Sequence, residues 1–281
     1  MKAALLQLSS GDDPAANLAT MRAMLEQARD AGADLACTPE ISNCVTASRD
    51  HQRTVLRIEA DDLTLTGLRH AAADLGIWLA IGSLALKTGD ADGRFANRSF
   101  LIDPTGGIVA RYDKIHMFDV QLGDTETYRE SVAFRPGDRA VLADTPWGRI
   151  GLTICYDLRF AYLHRALAQA GAAIILQPSA FTQPTGQAHW EPMLRARAIE
   201  TGCFVLAAAQ TTTLTGTHPR SIDAADRRTH GHSLAVDPWG RVLADAGDAP
   251  GVTLVDLDLA QVAAARARIP ALTHDRAFTG P

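Results

Sequence analysis

What the chain lacks excludes several classes of protein. No apolar run approaches the ~18 residues that a membrane-spanning helix needs, so no transmembrane segment is predicted. Positive charge is not in excess, because 27 Lys and Arg stand against 32 Asp and Glu, for a net charge of −5. Nucleic-acid binding requires a basic face. We therefore expect neither a membrane nor a nucleic acid as the partner of this protein.

Cysteine is scarce as well. The 4 cysteines include no C-x-x-C pair and no spacing typical of metal ligands, and a disulfide framework is not expected at this density. We predict no metal site, and we interpret Cys37, Cys44 and Cys203 as small buried hydrophobic residues. The motifs G-x-G-x-x-G and G-x-x-x-x-G-K-[ST] are also absent. Dinucleotide binding and P-loop chemistry are therefore not predicted.

What is present is typical of a globular protein. Hydrophobic residues make up 47% and charged residues 21% of the 281 residues. The first residues, MKAALLQLSS, are too short for a signal peptide and lack a cleavage site, so a first β-strand is the better interpretation. We expect a soluble, cytoplasmic protein.

The chain repeats one plan. Each half is predicted to run strand, helix, strand, helix, strand and then a hairpin, whose turn is Asp103-Pro104-Thr105-Gly106 in the first half and Asp237-Pro238-Trp239-Gly240 in the second. The predicted strands are Lys2–Leu8, Asp34–Pro39, Ile77–Leu86, Asn97–Ile102, Gly107–Arg111, Arg149–Cys155, Ala172–Gln177, Cys203–Ala209, Ser233–Val236, Arg241–Ala244 and Val252–Leu257, and the predicted helices are Pro14–Ala31, Leu63–Leu75, Leu158–Ala170 and Trp190–Thr201.

This duplication predicts an α/β fold of a single domain spanning residues 1–281. Two sheets packed face to face with helices outside them bury both sheets, which gives a four-layer α-β-β-α sandwich with an internal pseudo-two-fold repeat. A doubly wound α/β fold is the alternative, and the repeated antiparallel hairpins disfavour it. Thr211–Gly231 breaks the pattern because it is long, polar and aperiodic. A segment facing the substrate or an interface and a passive insertion both fit it.

Cys155 lies where the apolar run RIGLTIC meets the amphipathic sequence YDLRFAYLHRALAQAG. The pattern predicts a strand-to-helix turn, where backbone N–H groups and the helix dipole favour a thiolate. Such a turn resembles the nucleophile elbow of other hydrolases. A buried cysteine at a strand end is the alternative, and position alone leaves it open.

Two further residues are candidates for a catalytic role. Glu40 ends the strand ADLACTPE, and a carboxylate at the carboxyl end of a sheet strand faces the region where α/β folds bind ligands. Lys114 lies in the largely apolar GIVARYDKIHMF, where a lysine is costly unless it is paired or used. An exposed edge-strand lysine is its alternative interpretation. Neither residue decides the function alone.

Together these residues resemble a known family. Glu40, Lys114 and Cys155, in the contexts TPE, YDKIHMF and GLTICYDLRF, are similar to the Glu-Lys-Cys triad of the nitrilase superfamily of carbon–nitrogen hydrolases, and their spacings of 74 and 41 residues fit its layout. The resemblance extends from KAALLQLSS to IPALTHDRAF. The segments GQAHWEPMLRARAIETGCFVLAAAQ and HGHSLAVDPWG most resemble the Nit branch, which contains deaminated-glutathione amidases and omega-amidases.

The resemblance implies an amidohydrolase that needs no metal or organic cofactor. Cys155 is expected to attack the amide carbonyl and form a thioester, while Glu40 carries protons and later activates water. Lys114 and the backbone N–H of Tyr156 are expected to stabilise the oxyanion.

Other site residues follow from the same resemblance. The run Tyr128-Arg129-Glu130-Ser131 matches a segment in which a second glutamate orients the lysine and the substrate, which implies that role for Glu130. Arg159 is expected either to bind a substrate carboxylate or to pair with Asp157 or Glu200. Phe181 and Thr182 are candidates for pocket walls.

Histidine-based alternatives explain less. His164, His189 or His232 as the base of a papain-like enzyme leaves Glu40 and Lys114 without a role. His230 and His232 have no third metal ligand at a matching spacing, so structural hydrogen bonding is expected for them.

The expected substrate is a small linear carboxamide whose hydrolysis releases ammonia. Deaminated glutathione is preferred, 2-oxoglutaramate (an omega-amidase substrate) is the alternative, and other aliphatic amides or N-carbamoyl compounds come next. A catalytically idle binding or scaffold protein is the alternative of a different class. The resemblance also implies a homodimer or higher homo-oligomer, with the tail at about 269–281 near the interface.

Overall fold

The apolar runs of the sequence form two sheets of six strands each in the computed structural model, which describes residues 1–122, 127–212 and 228–280. The strands are β1 Lys2–Gln7, β2 Leu35–Cys37, β3 Trp78–Lys87, β4 Phe95–Ile102, β5 Ile108–Asp113, β6 Asp119–Gln121, β7 Thr127–Arg129, β8 Val141–Thr145, β9 Gly148–Leu152, β10 Ala172–Leu176, β11 Phe204–Ala207, β12 Leu234–Val236, β13 Val242–Asp245 and β14 Gly251–Asp256.

The helices connect these strands along the chain, and the last helix follows β14. They are α1 Pro14–Asp30, α2 Arg49–Val55, α3 Leu63–Leu75, α4 Ala161–Gln169, α5 Gln183–Thr201 and α6 Ala260–Arg268. Single 3-10 turns occupy Glu59–Asp61, Glu130–Val132, Cys155–Arg159 and Ala271–Thr273.

The two sheets have the same construction. The first has the strand order β14-β1-β2-β3-β4-β5 and the second the order β13-β12-β11-β10-β9-β8, while β6 and β7 form a separate antiparallel pair. In each sheet three consecutive strands are parallel, β1-β2-β3 and β9-β10-β11, and a hairpin extends one side. Strand β14 returns from the end of the chain to pair antiparallel with β1, as β8 pairs with β9. The predicted internal repeat is confirmed.

Alternating side chains of these strands face two different cores. In β1, Ala3 and Leu5 belong to a core that also holds Ile150 and Leu152 of the second sheet. The intervening residues Ala4 and Leu6 pack instead with Met21, Leu25, Leu65 and Leu68 of α1 and α3. On the second sheet, α4 packs through Leu163 and Leu167 against Ala172 and Ile175 of β10, and α5 lies against β11. Helices therefore cover the outer face of each sheet, and the four-layer sandwich is confirmed.

Both D-P-x-G turns join the hairpin strands as predicted. The N–H of Gly106 donates to the Asp103 carbonyl, and that of Gly240 to the Asp237 carbonyl, each at 2.9 Å. The two glycines have φ values of 79° and 85°, in the left-handed region that favours glycine. Each hairpin then shifts register by a bulge, which increases the local twist.

Some boundaries differ from the predictions. The helix expected at Leu158 begins at Ala161, because residues 155–159 form a 3-10 turn, and the helix expected at Trp190 begins at Gln183. The sequence QPTGQAH before Trp190 has no apolar periodicity, but Pro184 near the start of the helix suits its first turn. Strands β6, β7 and β8 and helices α2 and α6 were not predicted. The single-domain assignment of residues 1–281 stays a prediction.

Candidate active site

Cys155 lies at the end of β9, on the turn that leads toward α4. The residue is 5% exposed, and its φ of 49° places a non-glycine backbone in the left-handed region. Its N–H donates to the Pro178 carbonyl at 2.8 Å, and its carbonyl accepts from Gln177 Nε2 at 2.9 Å. Hydrogen bonds with Gln177 and Pro178, the two residues that follow β10, therefore hold a backbone conformation that a cysteine rarely adopts.

Glu40 follows β2 and is 4% exposed. Its Oε1 atom accepts from Lys114 Nζ and from Asn97 Nδ2, both at 2.9 Å, and its Oε2 atom accepts from the Ala180 N–H at 2.9 Å. Ala180 lies beyond β10 in the second sheet, so the carboxylate links the two halves of the chain. The next residue, Ile41, also has a positive φ, of 52°.

Lys114 follows β5 and is one of the largest fully buried side chains, at 1% exposure. Its Nζ atom lies 2.9 Å from Glu40 Oε1 and 2.9 Å from both carboxylate oxygens of Glu130. The interpretation of Lys114 as an exposed edge-strand residue is therefore wrong. The structure brings Glu40, Lys114 and Glu130 together as one buried charged cluster.

The cluster controls the charges of Lys114 and Cys155. Burial alone would lower the pKa of Lys114, but Glu130, then Glu40 and Cys155, outweigh it and raise this pKa well above its usual value, so the lysine is an ammonium. Burial and the Glu40 carboxylate raise the pKa of Cys155, against opposing effects of Lys114 and the Ala180 N–H. Cys155 is therefore a thiol at neutral pH. The sequence pattern predicts a turn that favours a thiolate, whereas burial at this turn favours the thiol.

Glu130 reaches the cluster from the 3-10 turn that follows β7. Besides Lys114, its carboxylate accepts from the backbone N–H of Phe118 at 2.6 Å and from Asn97 Nδ2 at 3.3 Å. Asn97 was not predicted as a site residue. It is 1% exposed and donates to both glutamates, and its Oδ1 has no hydrogen-bond partner among the residues that the structure describes. Arg98 and Ser99 follow Asn97 directly in β4, so no local pattern of the sequence marks Asn97 as a site residue.

Arg159 lies at the rim of the cluster, next to Tyr156 and Phe181, with its guanidinium 5.8 Å from each ring centroid. It contacts His189 Nδ1 at 3.2 Å and Met193 Sδ at 3.8 Å. Among the described residues it makes no ion pair, so the expected pairing with Asp157 or Glu200 is wrong.

The other two candidates lie on the same side of the cluster. Phe181 packs on Trp190 with centroids 4.9 Å apart, and the Thr182 hydroxyl lies 2.8 Å from that of Thr185 in the first turn of α5. The Tyr156 ring contacts Phe118 and Phe160.

The remaining cysteines and histidines have structural surroundings. Cys37, Cys44 and Cys203 are free and buried. His164 contacts the Phe160 carbonyl and Gln177, and His232 lies between the carboxylates of Asp245 and Asp248. In the part of the chain that the structure describes, no group of three or more His, Cys, Asp or Glu is arranged to hold a metal ion, and no helix is long and apolar enough to span a membrane.

Most of the Thr211–Gly231 segment lies outside the described residues. At its two ends, Thr212 Oγ1 accepts from the Thr229 N–H at 2.9 Å, and the His230 N–H donates to the Phe181 carbonyl at 2.9 Å. The segment therefore begins and ends beside Phe181, on the rim that carries Arg159.

Comparison with known proteins agrees with this geometry. The family model described as carbon-nitrogen hydrolase matches residues 2–267. Over 274 residues the chain is 41% identical to the deaminated glutathione amidase of Yersinia enterocolitica, covering 97% of this chain and 92% of that protein.

Solved structures show the same fold. The C. elegans NitFhit protein superposes with a TM-score of 0.87 at 33% identity, and the match covers 98% of this chain but 65% of that longer one. A mutant of an amidase from Nesterenkonia sp. AN1, a member of the nitrilase superfamily, superposes with a TM-score of 0.79 at 25% identity over 98% of this chain and 94% of that one. In that structure the acetamide moiety of fluoroacetamide is covalently added at the active-site cysteine.

Proposed function

Because this chain belongs to the carbon–nitrogen hydrolase family, we propose that it is an amidase that cleaves the carboxamide of a small linear substrate and releases ammonia. Cys155 is the nucleophile, Glu40 the proton carrier, and Lys114 the charged stabiliser of the oxyanion. One observation carries the proposal: a buried ammonium, held by two carboxylates, lies beside a buried thiol on a backbone turn with positive φ.

The first half of the reaction forms a thioester. Cys155 Sγ bonds to the amide carbon while its proton passes to Glu40, which is needed because the thiol is protonated at neutral pH. The carbonyl oxygen gains negative charge, which the Lys114 ammonium and the Tyr156 N–H stabilise. The C–N bond then breaks, and Glu40 returns the proton to the leaving nitrogen, which departs as ammonia.

The second half hydrolyses the thioester. Glu40 takes a proton from water as the water oxygen bonds to the acyl carbon, and the C–S bond breaks. The proton then returns to the sulfur, so that the acid product leaves and the thiol is regenerated. Asn97 and the Ala180 N–H hold Glu40 in place during this cycle, because both donate to its carboxylate. Removing one donor of an oxyanion typically costs about 3 kcal/mol of barrier.

We propose deaminated glutathione as the preferred substrate, since relatives that match nearly the whole chain carry that name. Arg159 supports a substrate with a carboxylate. Its guanidinium lies at the rim between two aromatic rings and makes no ion pair in the described residues. It can therefore donate two parallel hydrogen bonds to the carboxylate of a substrate. 2-Oxoglutaramate also carries a carboxylate and is the second candidate.

Ammonia release from a substrate panel tests the proposal. The panel holds deaminated glutathione, 2-oxoglutaramate, glutamine, aliphatic amides, N-carbamoyl amino acids and a nitrile, assayed with wild type, Cys155→Ala and the control Cys203→Ala. We expect release from deaminated glutathione that is lost in Cys155→Ala and kept in Cys203→Ala. Activity that survives in Cys155→Ala refutes the nucleophile. Preference for 2-oxoglutaramate changes the substrate but not the mechanism, and no release at all favours the idle binding protein.

We also propose that the protein is a cytoplasmic homodimer. Within one chain, Asp275 of the tail bonds to Arg165 and Gln169 of α4, whereas Phe278 is 89% exposed and free to meet a second copy. Sedimentation at micromolar concentration is expected to give about twice the chain mass of 30.0 kDa, and a monomer would contradict this.

A further inference from the structure

The backbone at Cys155 needs support from its surroundings. A non-glycine residue with positive φ is strained, and this conformation persists only where neighbouring contacts enforce it. The peptide on the C-terminal side of Cys155 is held by Gln177. On the N-terminal side, the Ile154 N–H donates to Asp157 Oδ2 at 2.8 Å, while the Asp157 N–H donates back to the Ile154 carbonyl at 3.1 Å.

Asp157 is fully buried and holds a second segment at the same time. Its Oδ2 atom also accepts from the Tyr112 hydroxyl at 2.6 Å, and its Oδ1 atom accepts from the His116 N–H at 3.1 Å and from His116 Nδ1 at 2.7 Å. Burial, together with the Asp157 charge, raises the pKa of Tyr112, so its hydroxyl stays protonated and donates. The carboxylate therefore has four donors, two on each oxygen.

These donors flank the lysine of the charged cluster. Tyr112 and His116 stand two residues before and two residues after Lys114, which follows the last residue of β5. The side chain of Lys114 reaches Glu40 and Glu130, whereas its flanking residues are tied to Asp157. One buried carboxylate thus joins the chain that carries the ammonium to the turn that carries the thiol.

We propose that Asp157 is a positioning residue that fixes Lys114 relative to Cys155. The inference rests on the proposed amidase function for its catalytic consequence. The oxyanion forms between the sulfur and the ammonium, so a displacement of either group weakens stabilisation of the transition state more than binding of the substrate.

Asp157→Asn breaks this arrangement with little change in shape. An amide presents one oxygen and one NH₂ group, and each position of the carboxylate faces two donors. Whichever way the amide is turned, its NH₂ group meets the N–H of Ile154 or of His116, neither of which can rotate away. Tyr112→Phe removes one donor and changes no charge.

The control is Asp237→Asn. Asp237 is also buried, at 1% exposure, and accepts from the N–H groups of Trp239 and Arg241, but it lies in the turn between β12 and β13. The Asp237→Asn substitution should lower the free energy of unfolding without changing kcat or KM.

The experiment measures amide hydrolysis and alkylation of Cys155 by iodoacetamide across pH, with Cys155→Ala as the blank, together with unfolding by denaturant. In Asp157→Asn we expect kcat to fall about 10²-fold with little change in KM, and in Tyr112→Phe to fall less. Since Lys114 lowers the pKa of Cys155, a displaced Lys114 should move the alkylation midpoint to higher pH in both variants. If the substitution only removed the negative charge of Asp157 and did not displace Lys114, the alkylation midpoint would move to lower pH.

Two results would overturn the proposal: an Asp157→Asn variant that loses only stability, like Asp237→Asn, or an alkylation midpoint that is unchanged or lower. If Asp157→Asn does not fold, Tyr112→Phe decides by the same two readouts. If the wild type hydrolyses no amide, the proposed function fails, but the alkylation midpoints still test the positioning.

Discussion

Lys114 shows at the scale of one residue how this chain places a charge in its interior. Removing an ammonium from water costs several kcal/mol, and nearby opposite charges with good geometry compensate for this cost. Here two carboxylates at 2.9 Å provide that compensation, while Asn97 donates to both of them. Glu130 and Glu40 together raise the pKa of Lys114 and keep this lysine charged.

We expect Glu130→Gln to weaken both activity and stability. The amide leaves Lys114 with one carboxylate, so the pKa of Lys114 should fall, kcat should drop about 10²-fold, and the free energy of unfolding should decrease by about 3 kcal/mol. Ammonia release and urea unfolding measure these effects. The matched control is Glu191→Gln, because Glu191 forms an exposed pair with Arg195 on α5, worth about 0.5 kcal/mol or less. Equal behaviour of the two variants would contradict a role for Glu130.

At the scale of elements, the site depends on how closely the two sheets approach each other. Gly82 of β3 lies against the residues after β2 and after β10: a Cβ atom there would be 2.0 Å from the Thr38 carbonyl oxygen and 2.5 Å from the Pro178 Cβ. Thr38 precedes Glu40 by two residues, and the Pro178 carbonyl accepts from the Cys155 N–H. A single missing side chain therefore lets the carboxylate and the thiol come together.

Gly82→Ala should consequently displace both Glu40 and Cys155. We expect a loss of about 3 kcal/mol in the free energy of unfolding and a loss of activity in the protein that still folds. Gly251→Ala is the control. Gly251 begins β14, and no atom of the described residues lies within 4 Å of its Cβ position, so this substitution should change stability by less than about 1 kcal/mol. Thermal unfolding and ammonia release compare the two. If Gly82→Ala were as stable and active as Gly251→Ala, the close approach at Gly82 would not be required to position Glu40 and Cys155.

At the scale of the whole molecule, a buried histidine links stability to pH. Burial lowers the pKa of His164 from 6.5 to about 4, while its contacts with Phe160 and Gln177 oppose the shift only in part. Between pH 6.5 and about 4 the unfolded chain binds a proton that the folded chain does not. Stability from this group is thus present above pH 6.5 and is lost as the pH falls toward 4, by up to about 3 kcal/mol.

His164→Gln should flatten that dependence. Urea unfolding at several pH values between 4 and 7 is expected to show a smaller decrease in unfolding free energy for this variant than for the wild type. His70→Gln, a change of an exposed histidine on α3, should leave the wild-type slope intact. An unchanged slope in His164→Gln would mean that other groups cause the acid sensitivity.

The sequence by itself determined the repeat, the strands and the residues able to do chemistry. Apolar alternation, helix periodicity and the two D-P-x-G turns are local signals, so they predicted the layers and most elements. Helix α5 was predicted seven residues too short, because its first turns have no apolar periodicity and pack through Gly186 against His230, a residue distant in sequence. The motifs around Glu40, Lys114 and Cys155 identified the family, while their roles stay predictions.

Only the tertiary structure decided what these residues contact. Asn97 and Asp157 lie 57 and 45 positions from partners that they bond, and nothing local in the sequence marks such pairs. The protonated state of Cys155 also depends on burial and on a glutamate from the other sheet. Contacts between distant segments and the loss of water around them exist only after folding, and this is why the sequence identified the reacting groups but not the groups that hold them in place.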